Sequence, residues 1–216
     1  MSPIDEGRTL ICALLALAYS LQLVQVWLLP VPSSFSTWSL LTKGRRAVEP
    51  GLETPSGLRL LLLAVVAGGA LFGARAPLLV CLIPALYQAT LPLSATGPWS
   101  LAMAGLLVLF GNGLSLWAVL TLRARAAFDA SGETEVLITT GIFRLVRHPV
   151  LVGLGAIYLG FLLLLPSVIV ALGFVLFVIN ARFRMAYEEA CLVQRFGAGY
   201  RNYAAKVGRL GPKLHP

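Results

Sequence analysis

Apolar runs recur six times along this chain of 216 residues, and the longest, Trp99 to Leu122, carries no charged side chain. The others are Leu10 to Leu29, Leu58 to Phe72, Pro77 to Pro92, Val150 to Leu165 and Ser167 to Asn180. A run of about 20 residues makes about 30 Å of helix, which matches the hydrocarbon core of a bilayer. A soluble domain of this length has one core and cannot hide so many such runs inside it. Composition points the same way: 58% of residues are apolar and 12% charged, whereas an ordinary soluble domain is nearer half and a quarter. The expected class is therefore all-α, a polytopic integral membrane helical bundle of about six membrane segments. The last two form a tight hairpin, and a carboxyl-terminal interfacial helix follows.

Breakers and charges divide the runs. Pro30 and Pro32 end the first, and residues 33–57 form a loop carrying Lys43, Arg45, Arg46, Glu49 and Glu53, with Pro50 and Pro55 as breakers. Arg75 separates the second run from the third, and Pro166 splits the hairpin of 150–180. The tail from Ala181 is charged and reads as helical to about Lys206. The first run lacks a small-residue cleavage site and is expected to be a retained membrane helix. The chain thus divides into transmembrane scaffold helices over 1–122 and a second region over 123–216 that holds a basic loop, the hairpin and the carboxyl-terminal helix.

The formal charge is +8, a value that in a soluble protein would raise nucleic acid as a partner. Here the basic residues cluster between and after the apolar runs, where cytoplasmic flanks and anionic headgroups favour them, so no nucleic acid is expected. With six spans and the amino terminus inside, thirteen of the seventeen Lys and Arg fall on the inner side. That asymmetry predicts a multi-pass protein with both termini cytoplasmic. Cys12, Cys81 and Cys191 are far apart without metal or redox spacing, and no metal is expected.

Polar groups are costly in this setting, and they concentrate after residue 123. In Gly141-Ile-Phe-Arg-Leu-Val-Arg-His-Pro-Val-Leu-Val-Gly153, Arg147 and His148 stand directly before Pro149, a residue suited to the first position of a helix. The helix start beside Arg147 offers backbone N–H groups to an anion, or the two residues simply cap and anchor the helix. Downstream, Arg184 and Glu188 are four apart and share a helical face. Glu188 and Glu189 point about 100° apart, so one can pair with Arg184 while the other addresses a ligand. Tyr200 and Tyr203 follow Phe196-Gly197 and suit an interfacial position.

In this order and spacing, the Arg-His-Pro-x-x-x-Gly segment, the hairpin with a central Pro, Arg-x-x-x-Glu-Glu and Phe-Gly-x-x-Tyr with a second Tyr three on resemble the isoprenylcysteine carboxyl methyltransferase family. That family is related to the phospholipid N-methyltransferases. The match covers about Gly141 to Pro212, a third of the chain. The resemblance implies an integral membrane enzyme using S-adenosylmethionine without a glycine-rich nucleotide loop, and a lipidic or prenylated methyl acceptor entering from the bilayer. By position it implies cofactor contacts at His148, Gly153, Glu188, Tyr200 and Tyr203, with Arg147, Pro149 and Leu151 in the same segment. Arg184 and Glu189 would be catalytic, facing the acceptor. The family often has tyrosine where this chain has Leu151, so a hydroxyl contact is lost there.

The expected reaction is direct displacement at the sulfonium methyl carbon, in which placement and desolvation contribute most. Isoprenylcysteine-type carboxyl O-methylation leads. Phospholipid N-methylation, a nicotinamide-dependent sterol or isoprenoid reductase and a non-enzymatic membrane bundle are the alternatives.

Overall fold

The computed structural model describes residues 98–129 and 137–213, with single positions at 13, 15–17, 20, 21, 77, 80 and 83. Apart from those positions, the expected spans Leu10 to Leu29, Leu58 to Phe72 and Pro77 to Pro92 and the 33–57 loop lie outside the described residues. Four helices are described: α1 (Pro98–Asp129), α2 (Pro149–Leu164), α3 (Val168–Phe196) and α4 (Ala198–Lys206), with a 3-10 turn at Gly141–Arg144. The described residues hold no strand. A lone parallel bridge joins Val146 and Gly208.

The apolar part of α1 covers Trp99–Leu122, and it is long and apolar enough to cross a bilayer. Trp99, Leu106, Leu109, Phe110 and Trp117 are exposed along it, a surface that suits an apolar solvent. The helix continues to Asp129, beyond the last apolar residue of its span. Intrahelical bonding proceeds there because Arg123-Ala-Arg-Ala-Ala127 are good helix formers.

α1 and α2 pack through small residues. A Cβ built on Gly153 would overlap Ser115 Oγ, and one on Gly160 would come within 2.9 Å of the Ala104 carbonyl oxygen. Such close backbone approach is how helices associate where lipid removes the hydrophobic drive between them. Phe161, Ile157 and Tyr158 of α2 join Ala104, Val170, Leu15 and Val80 in one buried cluster. A second, smaller cluster of Ala118, Ile142 and Val146 ties the 3-10 turn to α1.

Pro149 begins α2 at its first position, with His148 as the N-cap. Leu165 ends it. Ser167 then caps α3, its Oγ accepting from the Val170 N–H at 3.2 Å. Tyr158 packs against Phe174 and Phe177, at centroid distances of 5.6 and 5.8 Å, and so holds the two arms together.

The second arm departs from the expected hairpin of 150–180. α3 runs unbroken from Val168 to Phe196, and the charged stretch from Ala181 belongs to it instead of starting a separate surface helix. Its 29 residues make about 43 Å, well beyond the hydrocarbon thickness. Charge changes the solvent a helix prefers, but Ala, Arg, Met, Glu, Leu and Gln all keep its backbone regular. The break comes at Gly197, whose φ of +53° disfavours any residue with a Cβ. From there α4 turns away and ends at Lys206, where the sequence places the end of helix.

Candidate active site

The site assembles where the start of α2, the far end of α3 and the segment after α4 meet. Pro149 fixes the helix start and is fully buried, and the residue before it takes φ −120° and ψ 60°, outside the helical region, at the mouth of α2. That residue is His148, 6% exposed.

Its two ring nitrogens address two adjacent carboxylates. Nε2 lies 3.2 Å from Glu189 Oε1, and Nδ1 lies 3.4 Å from Glu188 Oε2. A neutral imidazole donates to one of them, whereas the protonated ring donates to both. Neighbouring residues on α3 can flank one ring because they point about 100° apart and the ring sits between them.

Each glutamate then has cationic partners of its own. Glu188 Oε1 accepts from Arg184 Nε at 2.8 Å, one helical turn back. Glu189 Oε1 lies 3.1 Å from Arg147 Nη1. Arg209 Nε lies 3.0 and 3.1 Å from the two oxygens of Glu189, and its Nη2 donates to Oε2 at 2.6 Å. Buried charges need such compensation, since an unpaired carboxylate away from water costs several kcal/mol. Three arginines therefore surround two glutamates, and the site carries an excess of positive charge before His148 is counted.

The tyrosines of α4 complete one wall. Arg147 Nη1 donates to the Tyr200 hydroxyl at 3.2 Å, and Tyr203 donates to the Phe143 carbonyl at 2.6 Å. The two rings meet edge to face at 6.0 Å. Burial raises both phenols, that of Tyr203 to about 12. The chain beyond α4 returns to the Arg-His-Pro segment: the Arg147 N–H donates to the Gly208 carbonyl at 3.0 Å and the His148 N–H to the Arg209 carbonyl at 3.2 Å. Gly208 makes that return possible, because a Cβ there would run into the Gly211 carbonyl oxygen.

Of the residues singled out from sequence, Arg147, His148, Glu188, Glu189, Tyr200 and Tyr203 come together here, and Arg184 joins them at the rim through Glu188. Gly153 does not. It lies more than a turn further along α2, against Gly111 and Ser115 of α1. Leu151 is partly buried on the first turn of α2. The residue missed is Arg209, which makes the shortest contact to Glu189. Its one trace in the sequence is the pair of glycines flanking Arg209-Leu210, which mark a tight chain reversal without naming its partner.

Residues 99–199 match the family model described as phospholipid methyltransferase. The match spans just under half of the chain and includes Arg147, His148, Arg184, Glu188 and Glu189, while Tyr200, Tyr203 and Arg209 lie past its end. The family that this stretch is similar to is one of membrane methyltransferases, related to the isoprenylcysteine carboxyl methyltransferases. No curated protein matches the chain.

Proposed function

We propose that this protein is an integral membrane methyltransferase that uses S-adenosylmethionine and acts on a lipidic acceptor. The observation that supports it most is the paired approach of Glu188 and Glu189 to the two nitrogens of His148, within a stretch that matches a membrane methyltransferase family.

The side chains fit the cofactor's functional groups. Arg147 Nε is a buried donor without a hydrogen-bond partner among the described residues, and an amino-acid carboxylate would satisfy it. Glu188 and His148 suit an ammonium and a ribose hydroxyl, and the edge-to-face tyrosines suit an aromatic base. The chemistry the bound cofactor supplies is a methyl group on a cationic sulfur, which leaves readily as a neutral thioether.

The residues then have placement as their main task. Arg184, 40% exposed, stands at the rim with guanidinium N–H groups beyond the Nε that Glu188 holds, and it is suited to orient an acceptor carboxylate. Glu189 fixes His148 and balances Arg147. The arginine excess favours an anionic acceptor, the isoprenylcysteine-type carboxyl group. The family match favours phospholipid N-methylation equally, with the glutamates as counter-charge to an amine.

The bundle would cross the bilayer several times with both termini cytoplasmic, so that the charged far end of α3 and the site lie at the cytosolic face. The test is calorimetric binding of S-adenosylmethionine to the full chain in lipid nanodiscs, followed by mass spectrometry of lipids that gain a labelled methyl group. Binding followed by a labelled lipid product is expected. Folded protein that binds no cofactor would overturn the reading.

A further inference from the structure

We propose that Arg209 is a positioning residue for methyl transfer, holding the Glu189 carboxylate in the one orientation that lets it fix His148. The inference rests on the methyltransferase reading above.

Glu189 is served by donors on both oxygens, but not evenly. Oε1 faces His148 Nε2, Arg147 Nη1 and Arg209 Nε, at 3.2, 3.1 and 3.0 Å. Among the described residues, Oε2 has only Arg209, through Nε at 3.1 Å and Nη2 at 2.6 Å. A glutamate's terminal torsion is broad and nearly two-fold, so little inside the residue sets the plane of its carboxylate. The planar fork of an arginine does set it, because two N–H groups meet two oxygens at once. With that fork in place, Oε1 is left aimed at His148.

The fork is itself held by backbone. Arg147 and His148 donate their N–H groups to the carbonyls of Gly208 and Arg209, so the residue that orients the carboxylate is tied to the segment carrying the histidine. Arg209 is 55% exposed at its side chain while Glu189 is 12% exposed. The guanidinium thus covers a buried carboxylate from the outside, and it comes from a segment past the end of the family match.

A latch that only closes the fold would contain the same backbone bonds, so the test must read the side-chain pair. The full chain in nanodiscs is titrated with S-adenosylmethionine by calorimetry, and labelled methyl transfer to a total lipid extract is measured beside it, for Arg209→Lys, Arg209→Gln, Glu189→Gln and the double variant Arg209→Gln/Glu189→Gln. Arg209→Gln is expected to weaken cofactor binding by about tenfold or more, the scale of a lost charge-assisted hydrogen bond. Arg209→Lys keeps the charge without the fork and should recover part of that loss. Added to Glu189→Gln, Arg209→Gln should cost less than about twofold, since the carboxylate it serves is gone.

An equal loss in both backgrounds would make Arg209 a structural latch and overturn the proposal, as would unchanged binding and transfer in Arg209→Gln. If Arg209→Gln fails to fold, Arg209→Lys carries the comparison alone and in the Glu189→Gln background, with the same two outcomes. Folded wild-type protein that binds no S-adenosylmethionine would instead overturn the methyltransferase reading itself.

Discussion

Gly153 of α2 sits so close to Ser115 of α1 that a Cβ on the glycine would overlap the serine Oγ. The resemblance assigned Gly153 to the cofactor, whereas the contact seen is between helices. Gly153→Ala is therefore expected to destabilise the bundle by about 1–3 kcal/mol, the usual cost of overpacking. Gly113→Ala, at an exposed position of α1 where a Cβ would meet nothing within 4 Å among the described residues, is expected to stabilise it by up to about 1 kcal/mol through helix propensity. Thermal unfolding in one detergent compares them. A Gly153→Ala protein as stable as wild type that had lost cofactor binding would return the glycine to the cofactor.

Tyr203 provides a test at high pH. Its hydroxyl donates to the Phe143 carbonyl at 2.6 Å, and burial raises its pKa from 10.0 to about 12. A raised pKa means that the fold favours the neutral phenol. Its contribution is complete below about pH 10 and is lost as pH rises through 12. Tyr203→Phe should cost about 1 kcal/mol near neutral pH, the net worth of one hydrogen bond. Between pH 10 and 12 its stability should fall less steeply than that of the wild type, and unfolding midpoints measured across that window decide it.

Much of this was legible in the sequence where one local rule governed the outcome. Trp99 to Leu122 emerged as a membrane-length run because a stretch without charge has one meaning in lipid. Pro149 marked a helix start and Pro166 a turn because proline restricts backbone locally. Arg184 and Glu188 paired because their spacing puts them on one face. The rest depended on partners far along the chain. Arg209 reaches Glu189 across 20 residues, which no spacing announces, and the small residues of α1 and α2 acquire meaning only when the helices meet. The tail from Ala181 reads as helical, but the change from apolar to charged side chains at Asn180 hides that it continues α3, because polarity and helix propensity are independent.

Tyr158 carries a buried hydroxyl with no hydrogen-bond partner among the described residues, set among the rings of Phe174 and Phe177. A buried unsatisfied hydroxyl costs about 1–3 kcal/mol. Removing it while keeping the ring should relieve that cost, so Tyr158→Phe is expected to stabilise the hairpin by about 1 kcal/mol or more in thermal unfolding. A destabilised Tyr158→Phe protein would show that the hydroxyl has an acceptor outside the described residues.

Arg184 separates the two acceptor chemistries. Its Nε bond to Glu188 is a one-turn ion pair with the arginine 40% exposed, and such pairs contribute under about 1 kcal/mol. Arg184→Ala should therefore leave the unfolding midpoint nearly unchanged. Because Glu188 keeps His148 as a partner, affinity for S-adenosylmethionine should shift by no more than about threefold. If the acceptor is a carboxylate, transfer should fall by about a hundredfold, the loss of a two-pronged charge-assisted contact, and Arg184→Lys should restore little of it because a point charge lacks the fork. If the acceptor is an amine, removing a cation from its approach should leave transfer unchanged or faster. Steady-state transfer measured separately with a prenylcysteine carboxylate and with phosphatidylethanolamine decides between them: a hundredfold loss on the first assigns Arg184 to the acceptor, and an unchanged rate on the second leaves the glutamates as the acceptor's counter-charge.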